Sequence, residues 1–370
     1  MNIFLGAFGS RGDVVPRVCL GRELKARGHR VTVGCVREYR RYVEMQDLEW
    51  TGVGAYPDKQ EEEKVLRDVM RDPDPGRRGE TLLGKLFIPM LPELTARLQD
   101  LHTQFDVFSI NDLLVPAVLG SAYFASEPLI VTLTAQPIGG FALEVADLDW
   151  IKLVGSSATL LSTSANLNST FAITDFWLPV DPEPFDAPDI EDFLNTAEKS
   201  VAIAFASAWG RDPYFSESTL IQALRMAGVR AVLQDTRSGR RRGLLDDLLP
   251  PVLVVGEVPY SWLFSRVDCV VHHGGAGTSA EALRAGRPSL ALPQYGDQQY
   301  WAERLASIGA SAGTLFPDQI TPEKLAKLIL RALEDNSIAA AVAAVSRAIN
   351  PRRGIAAACD RIETLARKCS

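Results

Sequence analysis

The chain opens on a short apolar run, Asn2 to Phe8. The period then changes: Val18, Leu20 and Leu24 recur at helical spacing over Pro16 to Arg27, and a second apolar run follows from Arg30 to Val36. This order predicts strand, loop (Gly9 to Asp13), helix and strand, a single βαβ unit, with Gly28 ending the helix where a left-handed residue is easily accommodated. Asp106 to Ile110 and Leu129 to Leu133 are further short apolar runs flanking a helix-like Leu113 to Phe124, so the parallel pattern continues. Tyr56 to Glu80 is charged and bears Pro and Gly, which predicts an irregular insertion able to shape a ligand site.

Pro179 to Pro188 holds Pro179, Pro182, Pro184 and Pro188 among acidic residues, a composition that cannot continue a helix or a central strand and so predicts a linker. The pattern then restarts, with strands expected at Val201 to Ala206, Val229 to Leu233, Val252 to Val255, Cys269 to His272 and Ser289 to Leu292, and a helix near Ser218 to Ala227. The Ala-rich tail from Asn336 to Lys368 reads as helix interrupted at Pro351 and Gly354, able to cross back and brace the first domain. The expected organisation is an α/β protein of two Rossmann-like doubly wound domains, residues 1–178 and 200–350, joined by a linker at 179–199 and followed by a terminal helix at 351–370. Ligands bind outside the carboxyl ends of the strands in such sheets, so two facing sheets imply a cleft.

Composition narrows the function without naming it. The 370 residues are 46% apolar and 23% charged, which is ordinary globular usage. A formal net charge of −7 disfavours nucleic-acid binding, which needs clustered Lys and Arg. The tight basic run Arg240, Arg241 and Arg242 reads as a solvated loop. Cys19, Cys35, Cys269, Cys359 and Cys369 are odd in number and hold no CxxC pair, so a reducing cytoplasm is expected. Ile3-Phe4-Leu5 is cut off by Gly6 and Arg11, too soon for a signal-peptide core, and no run approaches the ~20 apolar residues of a membrane helix, so no stable membrane insertion is expected.

The richest segment is VVHHGGAGTSAEALRAG, Val270 to Gly286, where an apolar strand ends in two histidines and a Gly-rich turn that opens a helix. Gly274, Gly275 and Gly277 let backbone N–H groups approach an anion, a helix expected to begin near Thr278 points its positive end there, and His273 can add a donor. The competing reading is a plain strand-to-helix turn. Thr278 to Glu281 also fits a capping box, so Glu281 is either a ligand group or a helix cap. Asp13 is either a general base placed after the first strand or the N-cap of a helix starting near Pro16. Asp297 is either a binding carboxylate or a turn residue after Gly296. Asp147-Leu148-Asp149 has the DxD spacing of a metal site but does not close an apolar strand. His29 and His102 read as structural, and four histidines in all leave no metal cluster.

GEVPYSWLFSRVDCVVHHGGAGTSAEALRAG, Gly256 to Gly286, followed by PQYGDQQYWAERLASIGA, Pro293 to Ala310, resembles the donor-binding half of family 1 glycosyltransferases, the bacterial natural-product and sterol enzymes above all. GSRGDVVP, Gly9 to Pro16, resembles the first loop of the same enzymes, so both domains match. The resemblance implies a GT-B fold, inversion at the anomeric carbon, no metal and no cofactor, with a nucleotide diphosphate sugar as co-substrate. Carried over by position, it implies that His273 contacts the pyrophosphate with Gly275, Gly277 and Thr278, and that Glu281 meets the ribose hydroxyls. Asp297 and Gln298 would hold the sugar hydroxyls, with Ser207 and Val258 as further donor-binding positions; Ala206 stands before Ser207 where the family often has Gly.

Ser10, Arg11 and Gly12 would form the acceptor loop, and Asp13 stands where many relatives place a catalytic His and the Arg-Gly-Asp subgroup has Asp. Asp112 lies near a supporting Asp of the His-bearing relatives; two nearby carboxylates would instead raise one pKa. A ribose contact by Glu281 favours UDP over TDP, whose sugar lacks the 2′-hydroxyl. Apolar segments at Phe87 to Leu91 and Ile138 to Leu143 imply a small hydrophobic acceptor such as a natural-product aglycone, a sterol or a phenolic. Two rival readings use the same fold, a nucleotide-sugar epimerase or hydrolase and a non-catalytic auxiliary protein. Against the first, no clear second ionisable group accompanies Asp13 and Asp112; against the second, Asp13, His273, Asp297 and Gln298 are all present.

Overall fold

The computed structural model describes residues 1–55, 59–119, 124, 129–133, 151–158, 160–161, 171–180, 185–195, 198–205, 213–235, 243–244 and 252–369. The chain divides into two compact units. One comprises Met1–Glu62, Gly84–Val180 and Ile349–Ser370; the other comprises Glu63–Leu83 and Asp181–Ala348.

The first unit carries seven strands: β1 (Asn2–Gly6), β2 (Arg30–Cys35), β3 (Glu49–Gly52), β4 (Val107–Asn111), β5 (Ile130–Leu133), β6 (Ile151–Val154) and β7 (Phe171–Ile173). They lie in the order β3-β2-β1-β4-β5-β6-β7, every pair parallel. Parallel pairing needs both faces covered, and β4 is buried at all five positions. The chain lays strands to one side of β1 and then returns to the other side with β4, so the topological switch point falls between β1 and β4.

The second unit carries β8 (Ser200–Ala204), β9 (Arg230–Gln234), β10 (Gly243–Leu244), β11 (Val252–Val255), β12 (Cys269–His272), β13 (Ser289–Ala291) and β14 (Ser311–Thr314). Their order is β10-β11-β9-β8-β12-β13-β14, parallel except for the two-residue β10 at the edge. Its switch point falls between β8 and β12. The core beneath it is built from Ala202, Val232, Leu253, Val270 and the ring of Phe264.

Several elements depart from the sequence pattern. The first helix runs from Arg11 to Ala26, five residues earlier than Pro16, because Ser10 and Asp13 cap its start and Pro16 is carried inside it. Gly9 to Asp13 is therefore not all loop. Where a helix is expected from Leu113 to Phe124, the described residues begin with a 3-10 turn, Asp112–Leu114, and continue as the helix Val115–Leu119; positions 120–123 lie outside the described residues. The charged segment from Tyr56 to Glu80 is not irregular where it is described: Lys59–Val69 and Pro75–Leu82 are helices, the second started by Asp74 as N-cap with Pro75 behind it. Residues 63–83 belong to the second unit rather than to a first domain spanning 1–178, and within the span 179–199 the helix Pro188–Leu194 buries Ile190 and Phe193 in the second unit's core.

The last helix, Pro351–Cys369, places Ile355, Ala358, Cys359 and Ile362 in the core of the first unit. Arg27 binds Asp360 at 2.7 Å and His29 binds Glu363 at 2.8 Å along its edge. Gly354 does not interrupt this helix but lies within it, where a Cβ would stand 2.7 Å from the Phe176 carbonyl oxygen and 2.9 Å from that of Thr174. Alanine raises helix propensity by about 1 kcal/mol over glycine, yet overpacking against backbone costs about 1–3 kcal/mol. Gly354→Ala is therefore expected to lower the unfolding free energy measured by urea denaturation; a more stable variant would mean that the helix is not pressed onto these carbonyls. No described helix is long and apolar enough to cross a membrane.

Candidate active site

Each unit gathers its polar side chains at the carboxyl end of its own switch point. In the first unit the backbone leaves β1 through Phe8, whose N–H donates to Asn111 Oδ1 at 3.1 Å and whose carbonyl accepts from Asn111 Nδ2 at 2.8 Å. Asn111 ends β4, so it ties the two strands together where they diverge. Ser10 follows as N-cap, accepting from the Gly12 N–H at 3.2 Å, while Asp13 Oδ2 accepts from the Ser10 N–H at 2.7 Å. This is a reciprocal capping box, with Asp13 in the helix's first turn rather than acting as an N-cap. Its other oxygen, Oδ1, accepts from Asn111 Nδ2 at 3.3 Å.

Beneath the carboxylate lies Arg17, fully buried, donating to Thr132 Oγ1 at 2.8 Å, to the Thr132 carbonyl, and to the Asp13 carbonyl at 3.2 Å. Asp112 completes the group; its Oδ1 is buried without a hydrogen-bond partner. The charges of both carboxylates act on one guanidinium. Burial first, and the charge of Asp112 second, push the Asp13 carboxyl up to about 7 against the opposing pull of Arg17 and Ser10. Burial raises Asp112 as well, with Arg17 opposing.

In the second unit β12 ends at His272, wholly buried, whose Nδ1 accepts from the Gly274 N–H at 3.0 Å; burial holds its pKa down at about 3, so this ring is neutral. His273 crosses the switch point: its Nδ1 lies 3.3 Å from the Ala204 carbonyl at the end of β8. A carbonyl cannot donate, so Nδ1 carries the proton and Nε2 is turned toward the glycine turn. A Cβ on Gly275 would stand 2.5 Å from that Nε2, and one on Gly274, whose φ is +85°, would stand 2.8 Å from the Gln298 carbonyl. The turn is packed on one side by His273 and on the other by Gln298.

The helix that follows is Ala276–Arg284 with Gly275 as N-cap and no side-chain cap bond. It begins two residues before Thr278, so the Thr278–Glu281 capping box does not form. Its first N–H groups are left for a ligand, the arrangement that binds anions. Glu281 lies one turn further on, buried, with Oε2 2.6 Å from Arg284 Nη2. Burial raises its carboxyl to about 7 despite that partner.

Asp297 precedes the helix Gln298–Ser307 and accepts from Trp301 Nε1 at 2.8 Å, a contact with a fully buried indole that fixes its orientation. Gln298 is buried, and its Oε1 accepts from the N–H groups of Gln294 at 2.7 Å and Tyr295 at 3.2 Å. The amide oxygen therefore holds the loop before it, and Nε2 is the atom that can face a ligand.

Compared with known proteins, residues 231–352 match the family model described as erythromycin biosynthesis protein CIII-like, C-terminal domain. An O-mycaminosyltylonolide 6-deoxyallosyltransferase of Streptomyces fradiae is 27% identical over 425 aligned residues, which cover 98% of this chain and 97% of that one. The chain is a glycosyltransferase, similar over nearly its whole length to natural-product and sterol enzymes. A sterol 3-beta-glucosyltransferase of Kluyveromyces lactis is 32% identical over 220 residues, covering 57% of this chain but 18% of that much longer protein.

The fold is GT-B. The glycosyltransferase of kitacinnamycin superposes with a TM-score of 0.71 at 21% identity over 98% of both chains, and a spinosyn rhamnosyltransferase complexed with thymidine diphosphate with 0.68 at 20% identity over 99% of this chain and 100% of that one.

Within this glycosyltransferase the structure brings Asp13 and Asp112 together in one unit, and His273, Gly275, Gly277, Thr278, Asp297 and Gln298 along one edge of the other. Ser10, Arg11 and Gly12 are the first helical turn and its cap rather than a loop, with Arg11 4.9 Å over the Tyr42 ring. Val258 is buried and its carbonyl is taken by Gln234 Nε2 at 3.0 Å. Ser207, the Asp147–Asp149 pattern, Arg240 to Arg242 and Ile138 to Leu143 lie outside the described residues. Arg17 and Asn111 carry no local motif: each acts through a partner about a hundred positions away, which a single sequence does not reveal.

Proposed function

We propose that the protein transfers a hexose, with inversion and without a metal, from a nucleotide diphosphate sugar to a hydroxyl of a small hydrophobic acceptor, with Asp13 as general base. The observation that carries this reading is a carboxylate held at the β1–β4 switch point with its pKa raised to about 7, the range in which a side chain can be ionised and still accept a proton in the transition state. Burial sets that basicity first, with Asp112 raising it further and Arg17 lowering it. The reaction breaks the bond from C1 to the β-phosphate oxygen as the acceptor oxygen forms its bond to C1 from the opposite face, and the acceptor proton passes to Asp13. Negative charge then grows on the nucleotide diphosphate, where the N-terminus of Ala276–Arg284 and His273 stabilise it. Asp297 and the Gln298 amide hold the sugar hydroxyls. The site of action is the cytoplasm.

Asp297→Ala is expected to raise KM for the nucleotide sugar by about tenfold or more, the loss of roughly one charge-assisted hydrogen bond, while inhibition by the free nucleotide diphosphate stays within about twofold. Equal weakening of both would move Asp297 away from the sugar.

The ribose of UDP offers Glu281 a 2′-hydroxyl that TDP lacks, which favours UDP. A second reading, TDP, is favoured by the solved neighbour complexed with thymidine diphosphate. Thermal-shift titration with UDP- and TDP-linked sugars decides between them, because a ligand raises the melting temperature according to its saturation of the native state. The transfer itself is tested by incubating the stabilising donor with a panel of aglycones, sterols and phenols and reading the anomeric configuration of the product by NMR. A retained configuration, or hydrolysis or epimerisation of the donor with no transfer, would overturn the proposal.

A further inference from the structure

Residues 63–83 lie in sequence between β3 and β4 of the first unit yet are part of the second. Their anchor is Arg78, fully buried, which donates from Nη2 to the Met70 carbonyl at 2.6 Å, from Nε to the Asp72 carbonyl, and from Nη1 to the Gln294 carbonyl at 3.2 Å. The first two bonds fold the segment on itself; the third fastens it to the loop after β13. Tyr214 lies 5.8 Å away on the guanidinium and donates its hydroxyl to the Arg71 carbonyl at 2.9 Å. The neighbouring residue makes the approach possible, since a Cβ on Gly79 would stand 2.9 Å from the Gly296 N and 3.1 Å from its Cα.

The loop held in this way is the one that presents the sugar-binding pair. Gln294 and Tyr295 donate their N–H groups to Gln298 Oε1, and Gly296, exposed and at φ +66°, turns the chain directly into Asp297. From one side Gln298 fixes the backbone of 294 and 295; from the other Arg78 fixes the carbonyl of 294 and Gly79 backs residue 296. A shift of this loop by a few tenths of an ångström would move Asp297 and the Gln298 amide relative to the His273 turn, where a Cβ on Gly274 would stand 2.8 Å from the Gln298 carbonyl.

We infer that Arg78 is a positioning residue for the sugar half of the donor, and that the Glu63–Leu83 segment is a built-in part of the donor site that tunes which hexose is accepted. This rests on the reading of Asp297 and Gln298 as the sugar-holding pair. Arg78 touches no ligand: it acts through the Gln294 carbonyl, so the nucleotide and pyrophosphate contacts are left in place.

The test uses the full-length enzyme with Arg78→Met, which keeps most of the volume and removes the donors, beside Gly79→Ala, which leaves the Arg78 bonds intact and presses on Gly296. Both are expected to raise KM for the nucleotide sugar by about tenfold and to change the ratio of kcat/KM between two donor hexoses, while inhibition by the free nucleotide diphosphate stays within twofold. Arg78→Lys, able to reach one carbonyl, should recover part of the loss. If Arg78→Met does not fold, Gly79→Ala alone decides. A folded variant with unchanged KM and unchanged hexose ratio, or one in which free nucleotide diphosphate weakens equally, overturns the inference. If Asp297→Ala selectively raises KM while the Arg78 and Gly79 variants do not, the fault lies with the segment; if Asp297→Ala is also silent, it lies with the sugar-holding pair.

Discussion

Asp13→Asn is expected to lower the rate of sugar transfer by about 100-fold to 10,000-fold, the range of general base catalysis, with donor affinity within a few-fold. The asparagine keeps the shape and can still accept the Ser10 N–H through its amide oxygen, so the capping box and the helix start survive. A purely structural Asp13 would make the substitution nearly silent. The pH dependence separates the two further. Only ionised Asp13 accepts a proton, so wild-type kcat/KM should rise with pH and level off above about 7, and the variant should lose this limb.

Stability runs the other way. The folded-state pKa lies above the 3.8 of an unperturbed Asp, so this group's contribution to stability is fully present below about pH 4 and is lost as pH rises through about 7. The asparagine variant has no such loss and should melt no lower than wild type at pH 8. Near wild-type turnover at saturating donor with a chemistry-limited acceptor would remove Asp13 from the mechanism and transfer its role to Asp112.

His273→Ala should cost about 100-fold to 1,000-fold in kcat, the usual effect of deleting one donor to a developing anion. In the unliganded ring Nδ1–H is committed to the Ala204 carbonyl and burial lowers the pKa, so Nε2 is bare near neutral pH. It can donate to a pyrophosphate only as imidazolium. Binding of the nucleotide diphosphate therefore takes up a proton, and affinity should fall as pH rises beyond the unliganded pKa toward the higher liganded one. Isothermal titration of UDP or TDP in buffers of different ionisation enthalpy measures that proton directly, and the alanine variant should lose it. Equal proton uptake by wild type and variant would place the pyrophosphate elsewhere.

The residues that could be read in advance are those whose role is local. Val252–Val255 and Cys269–His272 are continuous apolar runs with turn signals at both ends, and their strands begin and end where the pattern does. The glycine turn after His273 carries its chemistry within a few residues. The start of the first helix was legible too, since Ser10-Arg11-Gly12-Asp13 has the spacing of a capping box, but the fixed φ of Pro16 drew the expected boundary to itself. Asp74-Pro75 is likewise an N-cap followed by an N1 proline, a helix start hidden in a segment whose charge suggested a loop. Arg17, Asn111 and Arg78 were not legible. Their distant partners, a hydroxyl, a carboxylate and a backbone carbonyl, lie 98 to 216 positions away, and only the folded topology makes those neighbours.

Neither unit is a continuous stretch of chain, and this limits how the molecule can be recombined. A chimera cut once, near residue 180, would separate the amino-terminal sheet from the terminal helix that supplies Ile355, Ala358 and Ile362 to its core. The same cut would leave the Arg78 anchor facing a foreign loop in place of its own Gln294. Grafting a new donor half requires exchanging 181–348 together with 63–83, and 349–370 must travel with the acceptor half. On the ribosome the first sheet cannot gain these core residues until the segment 355–362 has been made, so a nascent chain stalled before residue 349 carries an amino-terminal unit with an uncovered apolar face.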